Sequence, residues 1–148
     1  MTASSQPASV RSFQSILVTG GAGFIGSAFI RWLFRQASFQ GRIVNYDALT
    51  YAGNLENVEG AVDRERYRFV RGDICDRDAV TKACEEHHVD AIVNFAAESH
   101  VDRSILGPGA FVQTNVMGTF ALLEVVRARP QIHDNEINSR VCREKPSS

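Results

Sequence analysis

The sequence predicts a protein of the α/β class, with a parallel β-sheet made of about four βα units. Short apolar runs such as Ile16-Leu17-Val18-Thr19 alternate along the chain with stretches of helical periodicity. A glycine cluster at positions 20–26 follows the first apolar run and opens the first helical stretch. A second strand pattern ends in Asp47, 21 residues after Gly26. Together these three observations predict the fold.

The glycine cluster has the spacing of a phosphate-binding βα turn. Gly20, Gly23 and Gly26 lie three residues apart, and Gly21, Gly23 and Gly26 also fit the pattern G-x-G-x-x-G. Glycines in such a turn permit backbone angles closed to other residues and let a pyrophosphate approach the main chain. The pattern therefore indicates a Rossmann-like dinucleotide site, with the pyrophosphate at the helix N-terminus. A structural glycine turn without a ligand is the alternative.

Composition and charge argue against several other classes of protein. The 148 residues are 44% hydrophobic and 22% charged, which fits one globular domain. The formal net charge of −1 and the lack of a basic stripe predict no nucleic-acid partner. No apolar run of membrane-spanning length and no secretory signal is recognised, so a cytoplasmic location without a membrane is expected. Three cysteines without C-x-x-C spacing predict neither disulfides nor a metal site.

Three segments are predicted along the chain. Residues 1–12 are polar and lack periodicity, so they are expected to be a disordered leader. Residues 13–129 are expected to form an incomplete NAD-binding Rossmann domain, and residues 130–148 a polar tail without a strand. The predicted strand order is 3-2-1-4, which leaves one edge of the fourth strand unpaired.

The first helix and the second strand frame the predicted cofactor site. Apolar residues recur at helical spacing and are expected to form the face that covers the sheet: Phe24, Ile25, Ala28, Phe29, Trp32 and Leu33. The second strand delivers Asp47 to the cofactor edge. Its carboxylate can accept both ribose hydroxyls of an adenosine and would repel a 2′-phosphate, so NAD is favoured over NADP. The alternative role of Asp47 is a helix or turn cap.

The third strand is expected to bring two residues to the adenine. Tyr67–Arg71 has a strand pattern closed by Gly72, so Asp73 and Ile74 would reach the base. Asp76 is expected to cap the next helix. Four acidic and histidine residues at 85–88 suggest a metal site at the end of that helix. Adjacent helical residues point about 100° apart, so we predict no metal there.

The fourth strand, at 90–95, is followed by small and polar residues. In an open α/β sheet, ligands bind outside the C-terminal ends of the strands. Ala96 and Ala97 are therefore expected to leave room for the cofactor, and Ser99 to offer a hydroxyl near the substrate. A long helix over Gly109–Arg127 has an apolar face broad enough for burial on two sides, against the sheet and against a second subunit.

Five blocks of sequence resemble the nucleotide-sugar branch of the extended short-chain dehydrogenase/reductases, most closely the dTDP-glucose 4,6-dehydratases. They are VTGGAGFIGS at 18–27, YDALTYAGNLENV at 46–58, GDICD at 72–76, AAESHVDRSI at 96–105 and QTNVMGT at 113–119. The resemblance implies NAD as cofactor, a nucleotide-sugar as substrate and a lyase reaction. In that reaction the sugar is oxidised at C4, loses water across C5 and C6, and regains the hydride at C6.

The resemblance also implies roles for particular residues. Phe24 and Ile25 give backbone contacts to the pyrophosphate. The adenosine ribose is surrounded by Asp47, Ala48, Leu49 and Thr50, and the adenine lies beside Asp73 and Ile74. The path of the nicotinamide-side ribose is lined by Phe95, Ala96, Ala97 and Thr114. Ser99 faces both the cofactor and the sugar.

The catalytic Tyr-x-x-x-Lys pair that the resemblance implies is not in this sequence. Four residues after its three tyrosines stand Thr50, Leu55 and Arg71. The Thr-Asp-Glu block that supplies the acid and base of elimination is not found either. We therefore expect no catalytic residue in this chain, and expect a truncated or frame-shifted product that is inactive alone. A non-catalytic NAD-binding module and a fragment of a related epimerase or decarboxylase are the alternatives.

Overall fold

The computed structural model describes residues 12–99, 108–129 and 132–134. Within these residues, five parallel strands form one sheet in the order β3-β2-β1-β4-β5. The strands are β1 Ser15–Thr19, β2 Arg42–Asp47, β3 Tyr67–Arg71, β4 Ala91–Asn94 and β5 His133–Asp134. The α/β class, the Rossmann-like parallel sheet and the order 3-2-1-4 are confirmed.

The segment after Pro130 contains a strand that the sequence does not predict. β5 pairs in parallel with Ala91 and Ile92 at the start of β4. Ile132, directly before β5, is 3% exposed and belongs to the core. The expectation of no strand in this segment and of a wholly unpaired edge on β4 is therefore wrong. A strand of two residues has no periodicity to recognise, and only its pairing with β4 makes it a strand.

Helices cover both faces of the sheet. One face carries α1, Phe24–Arg35, packed on alternate residues of β1 and β2. The other face carries α2, Arg77–Glu86, and α3, Pro108–Ala128. Asp76 caps α2 as predicted, because its Oδ1 accepts a hydrogen bond from Ala79 N at 3.0 Å. A short 3₁₀ helix, Leu55–Asn57, lies in the connection between β2 and β3.

The buried stripe of α1 differs from the predicted one. Gly26, Ile30 and Leu33 are buried, whereas Phe24 is 88% and Ile25 66% exposed. The prediction that Phe24, Ile25, Ala28 and Trp32 help to cover the sheet is wrong, since Ala28 is exposed and Trp32 is 55% exposed as well. Gly26 packs directly on the glycine turn, so the side of the helix that begins with it faces the sheet. Ile30 and Leu33 lie four and seven positions after Gly26, so the three residues share one helical face.

α3 has an interrupted helical path and an open apolar side. It is α-helical at Pro108–Val112 and Thr119–Ala128 and π-helical at Gln113–Gly118. Its buried residues are Gly118, Ala121, Leu122 and Val125. Its exposed apolar residues are Phe111, Val112, Val116, Met117, Phe120 and Leu123. The helix was predicted to be buried on two sides, and the structure shows its burial on the side that faces the sheet.

By length and composition alone, α3 could cross a membrane, with a mean hydropathy of 1.3 over 18 residues. The expectation that the chain has no apolar run of membrane-spanning length is wrong for this helix. Core helices, which are mostly buried, pass the same test of length and composition, whereas 22% of this window is buried. The buried side chains of Leu122 and Val125 pack in one cluster with Val80 and Cys84 of α2.

Candidate functional site

A cleft opens along the edge where β1, β2, β3 and β4 end. Parallel strands bring their C-terminal ends to the same edge, so residues far apart in sequence meet there. The predicted site residues that line this cleft are Gly20, Gly23, Asp47, Ala48, Thr50, Asp73, Ile74, Phe95, Ala96, Ala97 and Thr114. The predicted residues that do not line it are Phe24, Ile25, Gly26, Leu49 and Ser99.

The glycine turn forms the floor of the cleft. Gly20 has a φ of +65°, and its N–H donates to the Tyr46 carbonyl at 3.0 Å. A Cβ on Gly20 would lie 2.5 Å from Ala96 N, so a side chain there would collide with the chain leaving β4. A Cβ on Gly26 would lie 2.2 Å from the Gly20 oxygen. The close approach of turn, helix and strand therefore needs glycine at these positions.

The N-terminus of α1 is an open site for an anion. Its N-cap residue, Gly23, has no side chain to cap the helix, and the first turn contains no acidic residue. The first N–H groups of any α-helix lack partners within the helix, and the helix dipole makes this end positive. Exposed Phe24 and Ile25 supply two of these N–H groups. This arrangement suits a phosphate group.

Asp47 lies at the end of β2 with both carboxylate oxygens engaged. Oδ2 accepts the N–H of Ala22 in the glycine turn at 2.9 Å, and Oδ1 accepts the N–H of Leu49 at 2.8 Å. Leu49 has a φ of +52°, which is uncommon for a residue with a side chain. The side chain of Asp47 thus caps a turn, the alternative role considered from the sequence. Each carboxylate oxygen can accept further hydrogen bonds, so this role leaves acceptor capacity for a ligand.

The chain leaving β4 is held by hydrogen bonds to its neighbours. Thr19 donates from its hydroxyl to Asn94 Oδ1, which also accepts the N–H of Ala96 at 3.2 Å. Further along, Asn115 of α3 exchanges two bonds with the backbone of Glu98: Oδ1 accepts its N–H at 2.8 Å, and Nδ2 donates to its carbonyl at 2.9 Å. These contacts fix the β4 side of the cleft.

Sequence reasoning missed several residues of the cleft. Those that line it without having been predicted are Tyr46, Ala52, Gly53, Gly72 and Glu98. Each is adjacent or close to a predicted residue. Tyr51 also joins the two sides, because its hydroxyl donates to Glu98 Oε2 at 3.2 Å. The signal that could have found these residues was their position next to the end of a strand. Side-chain contacts across the cleft leave no pattern in the sequence.

Two tyrosines of the sheet, Tyr46 in the cleft and Tyr67 at the start of β3, have a pKa above the ordinary range. Burial, aided by the nearby Asp76 and Asp73 carboxylates, raises the pKa of Tyr46 to about 12. Burial also raises the pKa of Tyr67, a hydroxyl that accepts a hydrogen bond from Asn45 Nδ2 at 2.9 Å. Both hydroxyls therefore keep their protons at neutral pH, and Tyr46 remains a hydrogen-bond donor.

The suggested metal cluster at 85–88 does not form one face in the structure. His87 is the C-cap of α2, and His88 has a φ of +50°, so the chain turns away there. Over residues 12–99, 108–129 and 132–134, no three His, Cys, Asp or Glu side chains are grouped to hold a metal ion. The helix end thus has the geometry of a cap.

This edge of the sheet, with a glycine turn and a helix N-terminus beside the C-terminal ends of parallel strands, has the architecture of the Rossmann class. A sequence profile of the family described as GDP-mannose 4,6 dehydratase matches residues 17–140, and the chain belongs to that family. It is similar to the dTDP-glucose 4,6-dehydratase of Salmonella typhimurium, at 54% identity over 112 residues. That alignment covers 76% of this chain and 30% of the relative, so the chain spans about a third of the relative's length.

Two solved structures resemble this chain and contain NAD. The dTDP-glucose 4,6-dehydratase of Bacillus anthracis, in complex with NAD, aligns with a TM-score of 0.71 at 45% identity, over 82% of this chain and 36% of that one. The UDP-glucose-4-epimerase of Stenotrophomonas maltophila, with bound NAD and formylated UDP-arabinopyranose, aligns with a TM-score of 0.68 at 34% identity. That alignment covers 77% of this chain and 33% of the epimerase.

Proposed function

We propose that this chain binds NAD in the cleft at the C-terminal edge of the sheet. The observation that carries the proposal is that a positive group and a negative group lie on either side of the glycine turn. The uncapped N-terminus of α1 offers a positive end to a pyrophosphate, and the Asp47 carboxylate, bonded to the same turn, offers an acceptor to a ribose. The presence of NAD in the similar B. anthracis structure supports it.

The proposed assignment of the cleft follows the order of its strands. The pyrophosphate lies on Gly20, Gly23 and Gly26, with the backbone N–H groups of Phe24 and Ile25. The adenosine ribose is surrounded by Asp47, Ala48, Leu49 and Thr50, and the adenine by Asp73 and Ile74. The path toward the nicotinamide passes Phe95, Ala96, Ala97 and Thr114. Ser99, which is exposed, faces both the cofactor and the substrate.

We expect NAD to bind more tightly than NADP, since the Asp47 carboxylate would repel a 2′-phosphate. Titration calorimetry of the chain with both dinucleotides measures this preference. Asp47→Asn removes the charge and should weaken NAD binding about tenfold or more, because a hydrogen bond to a charged group is lost. The same variant should narrow the preference for NAD over NADP.

Asp90→Asn is a matched control for Asp47→Asn. The Asp90 carboxylate also accepts two backbone N–H groups, from Gln14 at 2.7 Å and Ser15 at 3.1 Å. These residues lie at the opposite end of β1 from the cleft, so Asp90→Asn should affect stability without changing NAD affinity. Unchanged NAD affinity in folded Asp47→Asn would remove Asp47 from the ribose. Failure of the unchanged chain to bind NAD would contradict the proposed function.

We further propose that the chain supplies the NAD-binding part of a dTDP-glucose 4,6-dehydratase, a lyase acting on a nucleotide-sugar. The 54% identity to the S. typhimurium dehydratase supports this over an epimerase or decarboxylase. Since the 148 residues contain no Tyr-x-x-x-Lys, the purified chain should form no 4-keto-6-deoxy sugar from dTDP-glucose and NAD. The S. typhimurium dehydratase serves as the positive control. Measurable product from the pure chain would contradict this prediction.

A non-catalytic NAD-binding module remains the second candidate, favoured by the lack of the catalytic pair in a chain whose cleft is well formed. Sequencing the coding DNA beyond Ser148 in all reading frames distinguishes the two. Tyr-x-x-x-Lys and Thr-Asp-Glu blocks there favour a dehydratase interrupted by truncation or frameshift. Their lack favours a module.

A further inference from the structure

We propose that the Tyr46 hydroxyl positions the adenine end of the cleft and thereby sets how strongly the cleft prefers adenine over other bases. The inference rests on the proposed binding of NAD. It assigns a role to a residue that neither the glycine pattern nor the resemblance singles out. Tyr46 acts through the backbone of Asp73, so it is a positioning residue.

The hydroxyl of Tyr46 is directed at the segment that follows β3. Tyr46 is 1% exposed, and its ring belongs to the same buried cluster as Leu17 and Ile74. Its hydroxyl donates to the carbonyl oxygen of Asp73 at 3.2 Å. That oxygen also accepts the N–H of Asp76 at 3.1 Å. The Asp73 carbonyl is therefore held by two donors, one from the neighbouring strand and one from its own turn.

Gly72 allows the segment to lie directly against the tyrosine. A Cβ on Gly72 would be 2.2 Å from the Tyr46 hydroxyl oxygen and 2.4 Å from Cζ. The N–H of Gly72 donates to the Asp47 carbonyl at 3.1 Å, which fixes it to the end of β2. The backbone carbonyl of Tyr46 accepts the N–H of Gly20 in the glycine turn. One residue thus contacts both the pyrophosphate side and the adenine side of the cleft.

The position of this segment determines where a base meets Asp73. The Asp73 carboxylate is oriented by a hydrogen bond from Cys75 N to Oδ1 at 2.9 Å. A carboxylate accepts hydrogen bonds only, so it favours the exocyclic amine of adenine and repels a 6-keto group at the same place. Ile74 is fixed from the other side, since a Cβ on Gly118 would be 2.5 Å from Ile74 Cδ1. The hydroxyl of Tyr46 is the side-chain contact that, together with the backbone bond from Gly72 to Asp47, aligns this arrangement with β2.

The test compares NAD with its analogue in which hypoxanthine replaces adenine, measured by calorimetry on the full chain. The wild-type chain should bind NAD more tightly than the hypoxanthine analogue. Tyr46→Phe keeps the ring and removes the donor, so the ratio of the two affinities should fall by about threefold to tenfold. A role in stability alone would weaken both ligands equally and leave the ratio unchanged.

Tyr67→Phe is the matched control. It removes another hydroxyl with a raised pKa, one bonded to Asn45 on the opposite face of β2, and should leave the ratio unchanged. If Tyr46→Phe does not fold, Gly72→Ala keeps the tyrosine but places a Cβ against its hydroxyl and ring, which displaces the same segment and should lower the ratio too. If folded Tyr46→Phe has the same ratio of affinities for NAD and the analogue as the wild-type chain, the role of Tyr46 is overturned, and the proposed function is not. Failure of the unchanged chain to bind either dinucleotide would overturn the proposed function and this inference with it.

Discussion

Asp47 shows how one buried carboxylate organises the cleft before a ligand arrives. It is 8% exposed and holds the N–H of Ala22 in the glycine turn and that of Leu49 in the following loop. A site whose acceptor is already oriented spends less free energy on ordering when a ligand binds. The capping role and the proposed ribose role are therefore compatible, because the first fixes the geometry that the second requires.

A prediction at the residue scale concerns the buried thiol of Cys84. Burial raises the pKa of Cys84 to about 11, while a thiol in the unfolded chain titrates near its ordinary value of 9.0. Above pH 9 the unfolded chain loses this proton first, so the contribution of the neutral thiol to stability is complete below pH 9 and lost toward pH 11. The free energy of unfolding, measured with urea from pH 8 to 10.5, should therefore fall with rising pH. Cys84→Ala should flatten part of this decline, and an equal slope in both proteins would contradict it.

At the scale of secondary-structure elements, α1 has a narrow buried stripe and an exposed first turn. Ile30 is fully buried in the cluster formed with Ile16, Val18 and Ile43, whereas Ile25 is 66% exposed. The helix therefore attaches to the sheet through its middle and later turns. Its first turn stays open toward the cleft, as a phosphate site at a helix N-terminus requires.

Because α1 has a buried and an exposed part, replacing isoleucine by alanine should lower the free energy of unfolding by different amounts in the two parts. Ile30→Ala leaves a cavity in the core and should lower the free energy of unfolding by about 2–5 kcal/mol. Ile25→Ala, the matched control on the same helix, should change it by about 0.5 kcal/mol or less. Urea denaturation of both variants measures the difference. Equal costs would mean that the two isoleucines are buried alike, contrary to the structure.

At the scale of the whole molecule, one side of α3 exposes large apolar side chains to solvent. Phe120 is 55%, Leu123 54% and Val116 57% exposed, all on one helix. Large exposed apolar surfaces mark interaction sites. We propose that this side of α3 pairs with a second copy of the chain, while its opposite side packs on α2 and the sheet.

Pairing through α3 predicts a dimer whose stability depends on that helix. Analytical ultracentrifugation of the unchanged chain should show a concentration-dependent dimer. Leu123→Glu should shift it to monomer, because a carboxylate would be buried unpaired in the interface. Trp32→Glu, at an exposed apolar position on α1, should leave the dimer intact. Sedimentation of the unchanged chain with lipid vesicles, or a monomer at all concentrations, would contradict the proposal.

Local patterns in the sequence determined most of the sheet and the outline of the cleft. Apolar runs bounded by glycine and polar residues predicted β1 to β4, and the glycine spacing predicted the turn at Gly20. Asp47 and Asp76 were recognisable because each follows or precedes a periodic segment directly. These features depend on neighbours within a few residues, so the linear sequence contains the information that fixes them.

Tertiary structure alone decided the features that depend on distant partners. β5 exists because β4 offers it an edge, and the buried side of α1 is set by the packing of Gly26 on the glycine turn. The bond of Tyr46 to Asp73 and that of Asn115 to Glu98 each join separate elements. No periodicity records such contacts, because they arise only when parallel strands bring their C-terminal ends to a common edge.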